Sequence, residues 1–308
     1  MASPDFLTQS QNASPFFNRT ARAVFGVSVI NENKAITKVY SGVFNGRIKF
    51  KIEKVSDSHA NKMTVQFFNV NPSTLAILQQ QGGFVEVQAG YGGNYPIIGV
   101  GNIYMCTQSI QNPDIITTVE CYDGGYAIEN AVVTPTSFAK GTLNSQIIKT
   151  CLNLLTKYFA IDLANVQYPP DFPIQKSVTI RGQVRNILDT YITNNPNFNY
   201  TWGILDGAIH IIPKQGTSVQ FGYVLSPQTG LIDIPSKNTQ GPLGNVNGTA
   251  YYKLKSLLNG LLNPYNYVQV KSIYVPQGFY EMERILHDGD NYEGNYHTEI
   301  EARALGTG

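Results

Sequence analysis

From about residue 25 to residue 135, apolar side chains recur at every second position, and a chain patterned with period two can bury one face only as a β-strand. In RIKFKIEKV, Ile48, Phe50 and Ile52 alternate with Lys49, Lys51 and Glu53. NKMTVQFFNV repeats the pattern with Met63, Val65 and Phe67, and FVEVQAG repeats it with Val85, Val87 and Ala89. The runs PIIGVGNIYMCTQSI and DIITTVECYD flank the turn signal Gln111-Asn112-Pro113-Asp114 and predict a long hairpin. Several short strands joined by turns leave ladder edges exposed, and closure into a barrel, or nearly so, removes them.

Near residue 140 the period changes. TLNSQIIKTCLNLLTKY places Leu143, Ile147, Cys151, Leu154 and Tyr158 on one helical face, with Thr142 as the expected N-cap. The strand KSVTI follows, and GQVRNILDTYI then offers Val184, Ile187, Leu188 and Tyr191 at helix spacing. In NYTWGILDGAIHIIP, Asp206-Gly207 between alternating apolar runs signals a two-residue hairpin turn. Counting outward from it pairs Ile204 with Ile209 and Trp202 with Ile211, on a face the second helix can cover. SVQFGYVL, YVQVKSIYV, GFYEMERILH and YHTEIEARA then return to strands, separated by connections such as PSKNTQGPLGNVNGT. The expected fold is α+β and mainly β. An N-terminal arm (1–24) precedes a first β-barrel domain (25–136), a small α/β domain (137–216) and a second β-barrel domain (217–308). No short tandem repeat is evident, and a shared architecture of the two outer domains is left open.

A chain of 308 residues suits two or three such domains. Hydrophobic residues make up 42%, enough for real interiors, but charged residues only 14%, against ~25% in ordinary soluble domains. Nineteen Tyr and 28 Gly accompany abundant Asn and Gln, a polar, weakly charged surface suited to contact with other proteins. A net charge of +1 argues against general binding to nucleic acid or membrane surfaces. MASPDFLTQSQNASPFFNRTARAVFGV lacks the basic start and apolar run of a secretory signal, so a soluble, cytosol-made protein is expected. No stretch approaches the ~18 apolar residues of a membrane span. Without export, the glycosylation tripeptides at Asn12, Asn18, Asn199 and Asn247 carry no weight, and Cys106, Cys121 and Cys151 make no disulfide framework. Residues 1–62 hold nine Lys or Arg against four Asp or Glu, and residues 281–308 two against seven. If the two β domains meet across subunits, these ends would steer a head-to-tail ring; otherwise they are solvated strand faces.

Two stretches could carry chemistry. GYGGN, with Gly90, Gly92 and Gly93, would cradle a phosphate only if it ended a strand and opened a helix. NYPIIGVGNI follows instead, so a turn between strands is expected. HDGDNYEGNYH gathers His287, Asp288, Asp290 and Glu293, which faintly resemble a calcium loop but lack its remaining ligands and its glycine position. A solvated turn is the simpler reading, and whether Asp288, Asp290 and Glu293 hold an ion is left to the structure. Neither a G-x-S-x-G elbow nor an H-E-x-x-H pair is present. Cys151 lies on an apolar helix face, His210 stands opposite Gly203, and His59 sits in the turn SDSHAN. Paired carboxylates converge only in three dimensions, so glycoside cleavage stays open. No catalytic, cofactor-binding or metal residue is assigned, no cofactor is expected, and the protein is read as a non-enzyme.

The order of VEVQAGYGGNYPIIGVGNIYMCTQ, TTVECYDGGYAIENAVV and SFAKGTLNSQIIKTCLNLL resembles the baseplate hub proteins of tailed bacteriophages, the late control D group and its relatives. SLLNGLLNPYNYVQVKS and GFYEMERILHDGDNYEGNYHTEIEARA are similar to the end of those proteins, so the likeness spans roughly residues 24–305. It implies two tail-tube-like barrels per chain and a homotrimer that adapts a six-fold tail tube to a three-fold central spike. The implied partners are further copies of the chain, the tube, spike and baseplate wedge proteins and the tape-measure protein. DNA would only pass through the lumen, no stable membrane binding is expected, and the implied location is the virion tail baseplate, assembled in the host cytoplasm. Some such hubs carry a fused lysozyme or peptidase; the ending EARALGTG leaves no room for one, which favours a structural role. The middle segment also resembles the small α/β modules of secretins. A cell-wall-degrading or glycan-binding tail protein is the alternative.

Overall fold

The computed structural model describes residues 5–7, 18–30, 36–157, 161–214, 221–238 and 251–305. Tyr158, Asn12, Asn247 and most of the N-terminal arm and of PSKNTQGPLGNVNGT lie outside the described residues. After the short strand β1 (Asp5–Leu7) come β2 (Arg19–Ile30), β3 (Ile36–Phe44), β4 (Ile48–Val55) and β5 (Lys62–Phe68). Helix α1 (Pro72–Leu78) leads to β6 (Gly83–Tyr91), β7 (Ile97–Gln111) and β8 (Asp114–Tyr122). Asn71 caps α1 by accepting from the Thr74 amide at 2.7 Å, ahead of a proline at the first turn. The seven strands β2–β8 bond in the order β3-β2-β6-β7-β8-β5-β4, every pair antiparallel. Ile48, Phe50, Ile52, Met63, Val65, Phe67, Val85, Val87 and Ala89 all fall in one buried cluster, on the faces their alternation predicts. The predicted hairpin forms, with Gln111 opposite Asp114.

A small module follows. Helix α2 (Gly125–Asn130), β9 (Val132–Phe138), α3 (Asn144–Leu155), β10 (Asp162–Val166), β11 (Val178–Gln183), α4 (Val184–Leu188, continued by a π turn through Thr193), β12 (Tyr200–Leu205) and β13 (Ala208–Pro213) build it. Its sheets run β10-β13-β12 and β11-β9. The Asp206-Gly207 turn sets the predicted register, Ile204 against Ile209 and Trp202 against Ile211. Their core includes Ile187, Leu188 and Ile192 from the second helix and also draws in Phe84, Ala127 and Ile128, from before residue 137. Helix α3 departs from expectation at its start. Thr142 does not cap it: the first helical residue is Asn144, and the carboxylate of Asp171 accepts from the Ser145 amide (3.1 Å) and hydroxyl (2.7 Å). A distant side chain thus satisfies the free amides that a local cap would have taken. Ile147 and Cys151 are buried as predicted, but Ile148, Leu152 and Leu155 complete the face, while Leu143 is exposed and Leu154 only half-buried.

The second β region contains β14 (Phe221–Leu225), β15 (Ser236–Asn238), β16 (Tyr251–Leu257), β17 (Tyr267–Val270), β18 (Gly278–Asp290) and β19 (Tyr296–Ala304). Its order is β1-β14-β17-β18-β19-β16-β15. Place by place this is the path of the first region: β14 stands for β2, β17 for β6, β18 for β7, β19 for β8, β16 for β5 and β15 for β4, while β1 takes the place of β3. One strand is reversed, since β14 runs parallel to β17 whereas β2 and β6 are antiparallel. Detail repeats as well as order. The register of β7 on β8 slips between Ile103 and Met105, that of β18 on β19 between Met282 and Arg284. Six residues beyond Asn102, Gln108 Nε2 donates to Thr117 Oγ1 (3.1 Å); at the matching place His287 Nδ1 meets Thr298 Oγ1 (3.0 Å). The two outer regions therefore share an architecture.

The mainly-β α+β fold is as expected, but full closure of the two barrels is not seen: among the described residues, no hydrogen-bonded pair closes either run upon itself. Instead β4, the end strand of the first region, pairs antiparallel with β18, Val55 opposite Arg284 through Lys49 opposite Asp290, so that both regions form one continuous sheet. An edge already supplied with partners has no need of closure.

Candidate functional site

GYGGN is a turn. β6 ends at Tyr91, whose amide and carbonyl exchange hydrogen bonds with Asn94 at 3.2 and 3.0 Å, and Gly92 and Gly93 take the positive φ values that the turn demands. The Gly92 amide donates to the Asn18 carbonyl (3.0 Å), and a Cβ at Gly90 would lie 2.0 Å from the Asn94 oxygen. These amides are engaged inside the chain, and a strand rather than a helix follows them.

The acidic residues of HDGDNYEGNYH are distributed, not convergent. His287 is fully buried and bonded to Thr298, Asp288 accepts from Asn295 Nδ2 (3.0 Å), and Asp290 and Glu293 both receive Arg47, at 2.8 and 2.7 Å. The Arg47 guanidinium lies over the rings of Phe68 and Tyr292. No three His, Cys, Asp or Glu side chains among the described residues gather to hold a metal ion. The opposite charges of the two chain ends also meet, but within one chain. Arg47 makes that match with Asp290 and Glu293, and Lys49 and Lys51 stand opposite Asp290 and Asp288 in the β4–β18 register, while Arg284 and Glu53 (2.6 Å) cross the seam with the charges reversed. These charges lie close together because β4 and β18 are neighbours in the same sheet. Tyr296 pins the same seam, reaching the first core, where its hydroxyl receives the Gly90 amide (3.1 Å) and donates to the Thr20 carbonyl (2.6 Å).

A group of buried ionisable side chains gathers where the two β regions and the α/β module meet. Lys54, on the buried face of β4, extends Nζ to Asp206 Oδ2 (2.7 Å) at the β12–β13 turn and to Asn263 Oδ1 (2.8 Å) of the second region. Asp123, after β8, accepts from the Gly207 amide (3.0 Å). Burial, reinforced by the neighbouring Asp206 carboxylate, pushes its carboxyl up to about 7. His210 stands opposite Gly203 and stacks on Tyr265 at 6.0 Å, and burial holds its imidazole below the ordinary range. Gly203 permits the contact: a Cβ there would lie 2.4 Å from the Asp57 oxygen and 2.7 Å from the Tyr265 hydroxyl. Lys54 and Asp123 are 2% and 3% exposed and Asp206 23%, so the cluster is a largely buried joint between three bodies. Lys54 was the residue that sequence reading passed over. Its signal was present, since 48, 50, 52 and 54 share one strand face.

The remaining candidates stay apart. His59 bonds locally to Asp57 (2.8 Å). Cys151 is buried, its thiol pushed up to about 12 by desolvation, and Cys121 is buried opposite Ile103 while Cys106 stands opposite Val119. All three cysteines are free.

Two buried groups give this architecture an expected pH profile. Folded Asp123 holds a proton between its ordinary 3.8 and about 7, so it lowers stability as pH rises through that window. His287 acts in the opposite sense. Burial, and then the Lys54 charge, depress its imidazole well below 6.5, so the unfolded chain binds the extra proton and stability falls as pH drops below that value. His287→Gln, which can keep the bond that Gln108 makes, is expected to flatten the acid-side loss, and Asp123→Asn the loss between pH 4 and 7. Urea midpoints from pH 4 to 8 that run parallel to wild type would refute both.

No protein-family profile and no curated protein sequence matches the chain. Solved structures do. A 43 kDa tail protein of prophage MuSo2 from Shewanella oneidensis superimposes with a TM-score of 0.62 at 11% identity, covering 92% of this chain and 98% of that one. A tail protein from Neisseria meningitidis MC58 gives 0.63 at 10% identity over 94% and 98%. An E. coli component of the type VI secretion system, described as structurally similar to T4 bacteriophage tail proteins gp27 and gp5, gives 0.57 at 12% identity over 84% and 74%. With both β regions and the small module included in the match, the chain has the fold of these phage tail proteins and of their type VI secretion counterpart.

Proposed function

We propose that this chain is the structural hub of a phage-type tail, a homotrimer that joins a six-fold tail tube to a three-fold central spike and lines the channel between them. The duplicated seven-strand path carries the reading, because a chain that presents one architecture twice lets three copies offer six similar faces. The fold shared with phage tail proteins supports it. On this reading the partners are further copies of the chain, the tube and spike proteins, the baseplate wedges and the tape-measure protein. DNA only passes through, without a basic stripe to retain it. The location is the virion tail, and the working divisions are the arm 1–24, β units 25–136 and 217–308, and the module 137–216. The role is structural rather than enzymatic, in keeping with acids that are paired with Arg47 or with Lys54. Light scattering on the purified chain is expected to give three times the mass of one copy, and incubation with peptidoglycan no released fragments. A monomer that cleaves cell wall would overturn this reading in favour of a tail enzyme.

A further inference from the structure

The seam inside the chain shows what covers one strand edge, and the duplicated fold places the same edge, uncovered, in the first β region. β18 pairs with β17 only over Gly278–Glu281; beyond its bulge that edge is taken by β4, from Arg284 to Asp290. β7 pairs with β6 only as far as Asn102, and from Met105 to Gln111 it bonds to β8 alone among the described residues. The threonine bonds align the two hairpins residue by residue: Gln108 corresponds to His287, Ser109 to Asp288 and Gln111 to Asp290. The uncovered run carries Met105 and Ile110, 43% and 74% exposed, with Ile115 directly across from Ile110. An apolar, unpaired edge of this kind invites another strand.

The strand to fill it is identified by the same alignment. Ile52 of β4 faces Met63, which faces Cys121; Lys237 of β15 faces Tyr252, which faces Ala302. Cys121 and Ala302 are corresponding positions, opposite Ile103 and Met282 just before the two bulges, so β15 is the counterpart of β4. β15 pairs only with β16 among the described residues, and Ile232 and Ile234 just before it are exposed.

We propose that the segment 234–238 of one copy pairs antiparallel with Thr107–Gln111 of the next, repeating between copies the seam that β4 and β18 form within each. The register follows from the alignment: Lys237 opposite Gln108, Ser236 opposite Ser109, Ile234 opposite Gln111. The interface is head-to-tail and closes by rotation, which rests on the ring proposed above. Within each chain the seam opposes lysines to aspartates, whereas the seam between copies is largely uncharged, so the assembly should resist salt.

Disulfide trapping tests the pairing. In the full chain carrying Cys106→Ser, the pair Ser109→Cys and Ser236→Cys should, on mild oxidation, link copies into a covalent trimer on non-reducing denaturing gels. The displaced pair Gln111→Cys and Ser236→Cys should link far less. In the unmodified chain, amide exchange over 107–111 and 234–238 should slow as the oligomer forms, a readout that does not depend on the variants folding. A trimer by light scattering that gives no matched link and no such protection overturns the pairing and leaves the ring standing. A chain that stays monomeric overturns the ring and the pairing with it.

Discussion

Lys54→Met is expected to destabilise the protein by about 3–5 kcal/mol, the cost of breaking a buried ion pair from one side. The side chain is 2% exposed and its ammonium is shared between Asp206 and Asn263, 2.7 and 2.8 Å away. Methionine fills the volume but leaves two carboxyls, Asp206 and Asp123, facing one another with no counter-charge. Because that penalty comes from the stranded charge and not from the loss of a favourable bond, the double variant Lys54→Met, Asp206→Asn should recover more than half of it. Urea unfolding measures both. A single-variant cost under about 1 kcal/mol, of the size seen for exposed pairs, would mean that water reaches the joint and that it does not hold the three bodies together.

Trp202→Ala is expected to cost a further, independent 3–5 kcal/mol or so, the range for emptying the site of a large aromatic side chain. Trp202 is fully buried in the core shared by α3, the second helix and the β12–β13 hairpin. Its indole N–H donates to Asp189 Oδ1 at 2.8 Å, so truncation also removes a partner from a carboxylate. Trp202→Phe separates the two contributions: it keeps much of the packing, loses the donor, and should cost about 1–3 kcal/mol. The chain has a single tryptophan, so circular dichroism rather than intrinsic fluorescence must follow unfolding. A loss below about 1.5 kcal/mol for the alanine variant would show that the module collapses around the cavity and is packed more loosely than the structure indicates.

The features legible beforehand are those whose causes lie within a few residues. Alternation assigned Ile48, Phe50 and Ile52 to the interior, and the Asp206-Gly207 turn fixed the partners of Ile204 and Trp202, since a two-residue turn leaves one register. The helix at 144 was visible but its cap was not, because Asp171 belongs to a loop 26 residues away from Ser145. Charge was visible too, with lysines near one end and aspartates near the other. That they would face each other across one seam of the same sheet was not.

The duplication shows the division most clearly. Gln108 and His287 occupy the same place and bond to equivalent threonines, yet nothing in their identities or neighbours announces it. Side-chain periodicity reports which face of a strand avoids water, and that is settled locally, by the chain's own chemistry. Which strand lies alongside which edge depends on backbone groups that every residue carries alike, so the order of strands, the β4–β18 seam and the buried Lys54 joint came into view only when distant segments were brought together.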